Sequence, residues 1–292
     1  MNKDSNIFIL SMPRTGSSVL ANLVQSAGYN TQISSDSLLL QPSEFNPDGY
    51  FEETGFTLLN DQLIRCQYGS DKSFLHTPHP SSDRTNIKAA EVNPNFFYDI
   101  NEDSLSIPSG FEQDLLSFTG HSWDPWGLTR MAYGEKWYRC YKKYGCDTGQ
   151  KIKKKIFEYS STFNSSTGLI VKDPRLALTF GAFNIRDPKI IILRREAEEC
   201  LKSLRNHYGN KLFTNNLIPG ESYCSNHFNY KIQPQKFGDY EKFYESCFRR
   251  AILTPGASVL EICFSDIVTK GPRLNELEDF IDGKVDITRI RI

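Results

Sequence analysis

Apolar positions along this chain fall into short unbroken runs, separated by stretches in which they recur every three or four residues. Ile7, Phe8, Ile9 and Leu10 form the first run. Four successive apolar residues without alternation predict a strand buried on both faces. A polar turn from Ser11 to Ser18 follows, and then Val19, Leu20, Leu23 and Val24 recur at helical spacing, with Gly28 placed to cap the helix. Phe56, Leu59 and Leu63 predict a second amphipathic helix within 55–69. Residues 134–161 read as mostly helical with a break near Gly145, and Lys151, Lys153, Lys154 and Lys155 mark a solvated face there. Further strands are expected at Gly168–Val171, Lys189–Leu193 and Val259–Phe264. Helices are expected at 197–208, at 239–252, and from Pro272 to near Gly283. Residues 29–49, 70–109 and 210–238 are rich in turn formers and read as loops.

Strands separated by helical segments predict an α/β domain, with a parallel sheet covered by helices on both faces. The length of 292 residues suits one such domain across 1–292, with a largely helical and irregular insertion at about 66–165. Excursions of that length commonly form lids or pocket walls. The three tryptophans, Trp123, Trp126 and Trp137, fall inside it. They fit either a packed helix junction or an aromatic wall of an acceptor pocket.

Composition narrows the function classes. A net charge of −1 lacks the basic excess of a general nucleic-acid binder. Seven scattered cysteines, with no Cys-x-x-Cys pair, read as free thiols of a reducing compartment, and the five histidines show no zinc spacing. No apolar run approaches the ~18 residues of a membrane span. The expectation is a cytoplasmic protein with no leader, metal, membrane or nucleic-acid partner; its oligomeric state is left open.

Chemistry concentrates in the first turn. A strand, a small-residue turn and a helix start together aim backbone N–H groups and the helix dipole at an anion. Gly16 allows close backbone approach, Thr15, Ser17 and Ser18 line the turn with hydroxyls, and Arg14 adds a fixed charge. The nucleotide-triphosphate P-loop requires Gly-x-x-x-x-Gly-Lys-[Ser/Thr]. Here Ser11 stands at the first position and Ser17 where the lysine belongs.

Pro13-Arg14-Thr15-Gly16-Ser17-Ser18 instead resembles the 5′-phosphosulfate loop of the sulfotransferase superfamily. Those enzymes use 3′-phosphoadenosine 5′-phosphosulfate (PAPS) as sulfuryl donor. Ile191-Ile192-Leu193-Arg194-Arg195, with Ser203 eight residues beyond Arg195, is similar to the superfamily's 3′-phosphate motif. Glu196-Ala197 replaces the usual x-Pro after the arginine, which leaves both Arg194 and Arg195 as candidates. Asn46-Pro47-Asp48-Gly49-Tyr50-Phe51-Glu52 and Lys172-Asp173-Pro174-Arg175 resemble segments of bacterial members, and Val259–Val268 is a weaker echo.

The resemblance implies a P-loop-like parallel sheet and a PAPS-dependent sulfotransferase. It places the donor on Arg14, Thr15, Gly16, Ser17, Ser18, Arg195 and Ser203, with no metal. The acceptor is expected to be a small molecule, a natural product with a hydroxyl or amine, with a carbohydrate as the alternative. Pro174 stands where the phenol and steroid enzymes keep their histidine base. By analogy with branches that use a glutamate, Glu52 is the expected base, with Glu44, Asp173 and His121 in reserve. A helix-start carboxylate is the competing role for Glu52. Arg14 and Lys172 are expected to neutralise charge on the leaving group. The rival classes are a kinase-like phosphotransferase, which Mg²⁺ dependence would reveal, and a nucleotide-binding module without turnover.

Overall fold

The computed structural model describes residues 3–12, 14–33, 39, 48–68, 145–146, 148–196, 198–200, 202–203 and 234–290. Four parallel strands form the sheet: β1 (Ile7–Ser11), β2 (Ile170–Lys172), β3 (Lys189–Arg194) and β4 (Ser258–Cys263), in the order β2-β1-β3-β4. Ile9 lies opposite Lys172 on one side and Ile191 on the other, and Arg194 opposes Cys263.

Side chains of successive strand residues leave a sheet on opposite faces, so unbroken apolar strands need two covers. Ile7, Ile9, Ile170, Ile191 and Leu193 pack in one core with Leu20, Leu23 and Val24 of α1 (Ser17–Ser26). Ile267 of α6 (Phe264–Val268) and Leu277 of α7 (Arg273–Phe280) complete that layer. Phe8, Leu10, Val171, Ile190 and Ile192 face the other core. There they meet α2 (Thr54–Tyr68), α3 (Gly149–Ser165), α4 (Leu176–Thr179) and α5 (Pro234–Ile252). Phe163 of α3 contacts Phe8 and Phe56 edge to face, with ring centroids 5.5 and 5.6 Å apart. Each such pair contributes about 0.5–1.5 kcal/mol beyond the area it buries.

Buried Asn6 ties these layers together just before β1. Its amide donates to the carbonyls of Phe163 and Ser166, both at 2.8 Å, and its oxygen accepts from the Leu169 N–H at 2.9 Å. Gly28 ends α1 in the left-handed region at φ 97°. The lysines at 151 and 154 are exposed, in keeping with a solvated face on α3.

Several boundaries differ from the sequence reading. Helix α5 starts at Pro234, inside the stretch read as loop, because Pro suits a first helical turn. Phe264 opens α6 instead of closing β4, and the Cys263 N–H is bound by Asp266 in a capping box. Helix α4 was not foreseen, being only four residues long. Helix α3 lies within the 66–165 stretch yet packs directly on the sheet through Ile152 and Phe163. Residues 70–109, the tryptophan stretch 121–137, and 210–233 lie outside the described residues.

The chain leaves β1, adds β2 on one side, and returns to add β3 on the other. In open parallel sheets that reversal leaves a crevice beyond the carboxyl ends of the strands, where ligands commonly bind. The turn after β1, Lys172 at the end of β2, and Arg194–Arg195 at the end of β3 all lie at that edge.

Candidate functional site

The turn after β1 is built on two left-handed residues, Arg14 (φ 68°) and Gly16 (φ 93°). Thr15 is buried, and its hydroxyl donates to the Met12 carbonyl at 2.8 Å, so it braces the turn. Gly16 is the N-cap of α1, and no side chain caps that helix start; helix N-termini of this kind favour anions through their amides and dipole. Ser17 is buried at the same start, and Ser18 sits one residue on.

The glycine also answers a packing demand that the sequence reading did not include. A Cβ on Gly16 would lie 2.2 and 2.3 Å from ring carbons of Phe264. The α6 phenylalanine thus demands glycine here by its own close approach, independently of any anion at the turn.

Lys172, at the end of β2, directs its ammonium to three acceptors: Glu52 Oε1, the Tyr50 carbonyl at 2.9 Å, and Ser18 Oγ at 3.3 Å. Both members of the Lys172–Glu52 ion pair are 3% exposed. Strand β2 is short and buried, so its terminal lysine cannot reach bulk water and must meet a counter-charge. Glu52 Oε2 is buried without a hydrogen-bond partner among the described residues. Burial pushes the Glu52 carboxyl above the ordinary carboxylate range; Lys172 opposes the shift and Asp173 adds to it.

The helix-start role falls to the neighbouring carboxylate. Glu53 accepts from the Gly55 and Phe56 N–H groups at 3.0 and 2.5 Å, and from the Tyr159 hydroxyl at 2.8 Å. Between Tyr50 and Glu52, Phe51 is left-handed at φ 56°. Glu52 thus meets Lys172 while Glu53 caps α2.

Asp173 is engaged elsewhere. Its Oδ1 accepts from the Arg175 N–H at 2.8 Å and Nη1 at 3.0 Å, and its Oδ2 from Asn60 Nδ2 at 3.3 Å. Asn60 accepts in turn from the Thr179 hydroxyl at 2.7 Å. This network is fully buried, and Asp173 serves as a counter-charge to Arg175. Sequence reasoning gave no role to Asn60 and Thr179; an amide next to Leu59, in the apolar stretch of α2, was the available signal.

The end of β3 separates two adjacent arginines. Arg194 pairs with Glu245 at 2.5 Å and Glu261 at 3.0 Å, and lies over the Phe248 ring. Arg195 instead donates through Nη1 to the Arg14 carbonyl at 3.0 Å, and through Nε to Glu199 at 3.0 Å. Its guanidinium stacks 4.7 Å from the centroid of Phe264. Arg14 Nε donates to Ser203 Oγ at 3.2 Å. Cys200 lies buried against the Arg14 and Arg195 carbonyls, and burial pushes its thiol up to about 12.

The predicted residues accordingly form two groups. Lys172, Glu52 and Ser18 meet around the Tyr50 carbonyl. Arg14, Arg195 and Ser203 meet around the turn after β1. Glu44 and His121 lie outside the described residues. Among the described residues no cluster of three or more His, Cys, Asp or Glu could hold a metal, and no helix is long and apolar enough to cross a membrane.

No family model and no curated protein matches this chain. Among solved structures, it pairs with a sulfotransferase domain from the curacin biosynthetic pathway at a TM-score of 0.38 and 15% identity, covering 98% of this chain and 76% of that one. A likeness that distant leaves the function to be read from the site.

Proposed function

We propose that this chain is a sulfotransferase that moves a sulfuryl group from PAPS to a hydroxyl or amine of a small-molecule acceptor. The observation that carries this reading is the buried Lys172–Glu52 pair set against Ser18 in the first turn of uncapped α1. It puts a cation, a carboxylate and the N-terminus of α1 at one point on the carboxyl edge of the sheet. The motif resemblances at the ends of β1, β2 and β3 support the same donor.

The residues suit that donor by charge and by hydrogen-bonding type. The N-terminus of α1 and the Ser18 hydroxyl suit the 5′-phosphosulfate. Arg195 and Ser203 can hold the 3′-phosphate, Arg supplying a charged fork and Ser a hydroxyl. With Arg194 committed to Glu245 and Glu261, Arg195 is the arginine assigned to that task. Fixed cations supply charge stabilisation at both ends, so the reading calls for no metal.

The reaction is an in-line displacement at sulfur, analogous to phosphoryl transfer. The acceptor oxygen or nitrogen forms the new bond to sulfur. The bond from sulfur to the oxygen shared with the 5′-phosphate breaks and leaves its electron pair there. Lys172 stabilises that oxygen as its charge grows. Glu52 takes the acceptor's proton; its carboxyl, raised by burial, is a stronger base than an exposed one. As Lys172 turns from Glu52 to the leaving oxygen, the carboxylate loses its counter-charge and its basicity rises further. The acceptor we propose is a small ring-bearing metabolite, with a carbohydrate as the second candidate; the aromatic content of 121–137 in the sequence supports the choice.

A panel of phenols, alcohols, amines and sugars incubated with PAPS tests the reading by mass spectrometry. A product heavier than its acceptor by one SO₃ unit, with the desulfated nucleotide formed alongside, is the expected result. Phosphorylated products from MgATP, with none from PAPS, would refute it.

A further inference from the structure

We propose that Arg14, although it belongs to the turn after β1, serves the ribose 3′-phosphate of the donor, in one anion pocket with Arg195 and Ser203. This assignment rests on the nucleotide reading above and departs from the position of Arg14 in its motif, which would put it at the 5′ end.

Three observations carry it. The Arg14 side chain reaches across to the helical residues after β3, where its Nε donates to Ser203 Oγ at 3.2 Å. Its own carbonyl is held by Arg195 Nη1 at 3.0 Å, so the two guanidinium-bearing residues are locked to each other and to one hydroxyl. Ser18, in the first turn of α1, accepts a hydrogen bond from Lys172 at 3.3 Å. The two ends of the donor thus receive separate cations, Lys172 at the 5′ side and Arg14 with Arg195 at the 3′ side.

The surroundings of Arg195 suit an incoming anion. The carboxylate on Arg195 is Glu199, whose side chain is 54% exposed, so an incoming phosphate can replace it at little cost. Phe264 fixes Arg195 for this task. Its ring lies under the guanidinium at 4.7 Å and fills the space beside Gly16, which couples the turn to the arginine. Two planar forks and a hydroxyl match the several oxygens of a phosphate monoester.

Calorimetric titration with 3′-phosphoadenosine 5′-phosphate and with adenosine 5′-phosphate tests the proposal, because the ratio of the two affinities isolates the 3′-phosphate. Arg14→Asn is the variant of choice, since asparagine tolerates the left-handed backbone at φ 68°. Its ratio should fall about 10–100-fold, the effect of losing a charged hydrogen-bond partner, with adenosine 5′-phosphate binding unchanged. Arg195→Ala should lower the same ratio. Equal weakening of both nucleotides in Arg14→Asn, or an unaltered ratio, would overturn the assignment and return Arg14 to the 5′ end. Wild-type protein that binds neither nucleotide would refute the donor reading itself, and this inference with it.

Discussion

Replacing Gly16 by alanine adds one methyl group, and the structure gives that methyl no room. It would sit 2.2, 2.3 and 3.0 Å from three carbons of the Phe264 ring, which is itself 8% exposed and backed by the α1 core. The backbone at φ 93°, ψ 20° adds a second cost, because L-residues are disfavoured there by about 1–2 kcal/mol. Overpacking a filled core costs about 1–3 kcal/mol. Gly16→Ala should therefore lose roughly 2–5 kcal/mol in urea denaturation, read as a lower midpoint at constant slope. Combining it with Phe264→Leu separates the two costs. The smaller side chain removes the clash but not the backbone strain, so the pair should show a favourable coupling of about 1–3 kcal/mol. Gly16→Ala within about 0.5 kcal/mol of wild type, or strictly additive effects, would refute the packing argument.

Lys172→Ala should slow turnover ~10²–10³-fold, as loss of a preorganised charge-stabilising donor does, with donor affinity little changed in the same kinetic series. It also strands Glu52, so Lys172→Ala/Glu52→Gln should melt higher than Lys172→Ala alone. Glu52 must be ionised to accept a proton, so kcat should rise with pH through an apparent pKa above the ordinary carboxylate range. That acid limb should vanish in Glu52→Gln; an unchanged limb would make Glu52 structural. Asp173→Ala leaves the Arg175 guanidinium buried without its counter-charge and should cost about 3–5 kcal/mol by denaturation.

The two-sided burial of the strands was legible because it needs only local information. Ile7–Leu10 and Lys189–Leu193 have no polar alternation, and both prove to be buried on two faces. The division of labour between neighbours was not legible. Glu52 and Glu53 are chemically equal in sequence, and only the Gly55, Phe56 and Tyr159 donors show which one caps α2. Arg194 and Arg195 are separated in the same way by Glu245 and Glu261, which come from elements more than 50 residues away. The demand on Gly16 depends on a ring contributed by Phe264, which no local pattern around the turn announces. Helix α3 was legible as a helix, but its place in the core rests on Phe163 meeting Phe8 and Phe56.

The central claim is that the carboxyl edge of this sheet holds PAPS through protein cations. Equilibrium titration of the wild-type chain with PAPS in the presence of EDTA, with ATP titrated in parallel with and without Mg²⁺, tests it most directly. The account predicts saturable one-site binding of PAPS that needs no divalent cation and is not displaced by ATP. Binding of ATP that requires Mg²⁺, with no binding of PAPS, would contradict it.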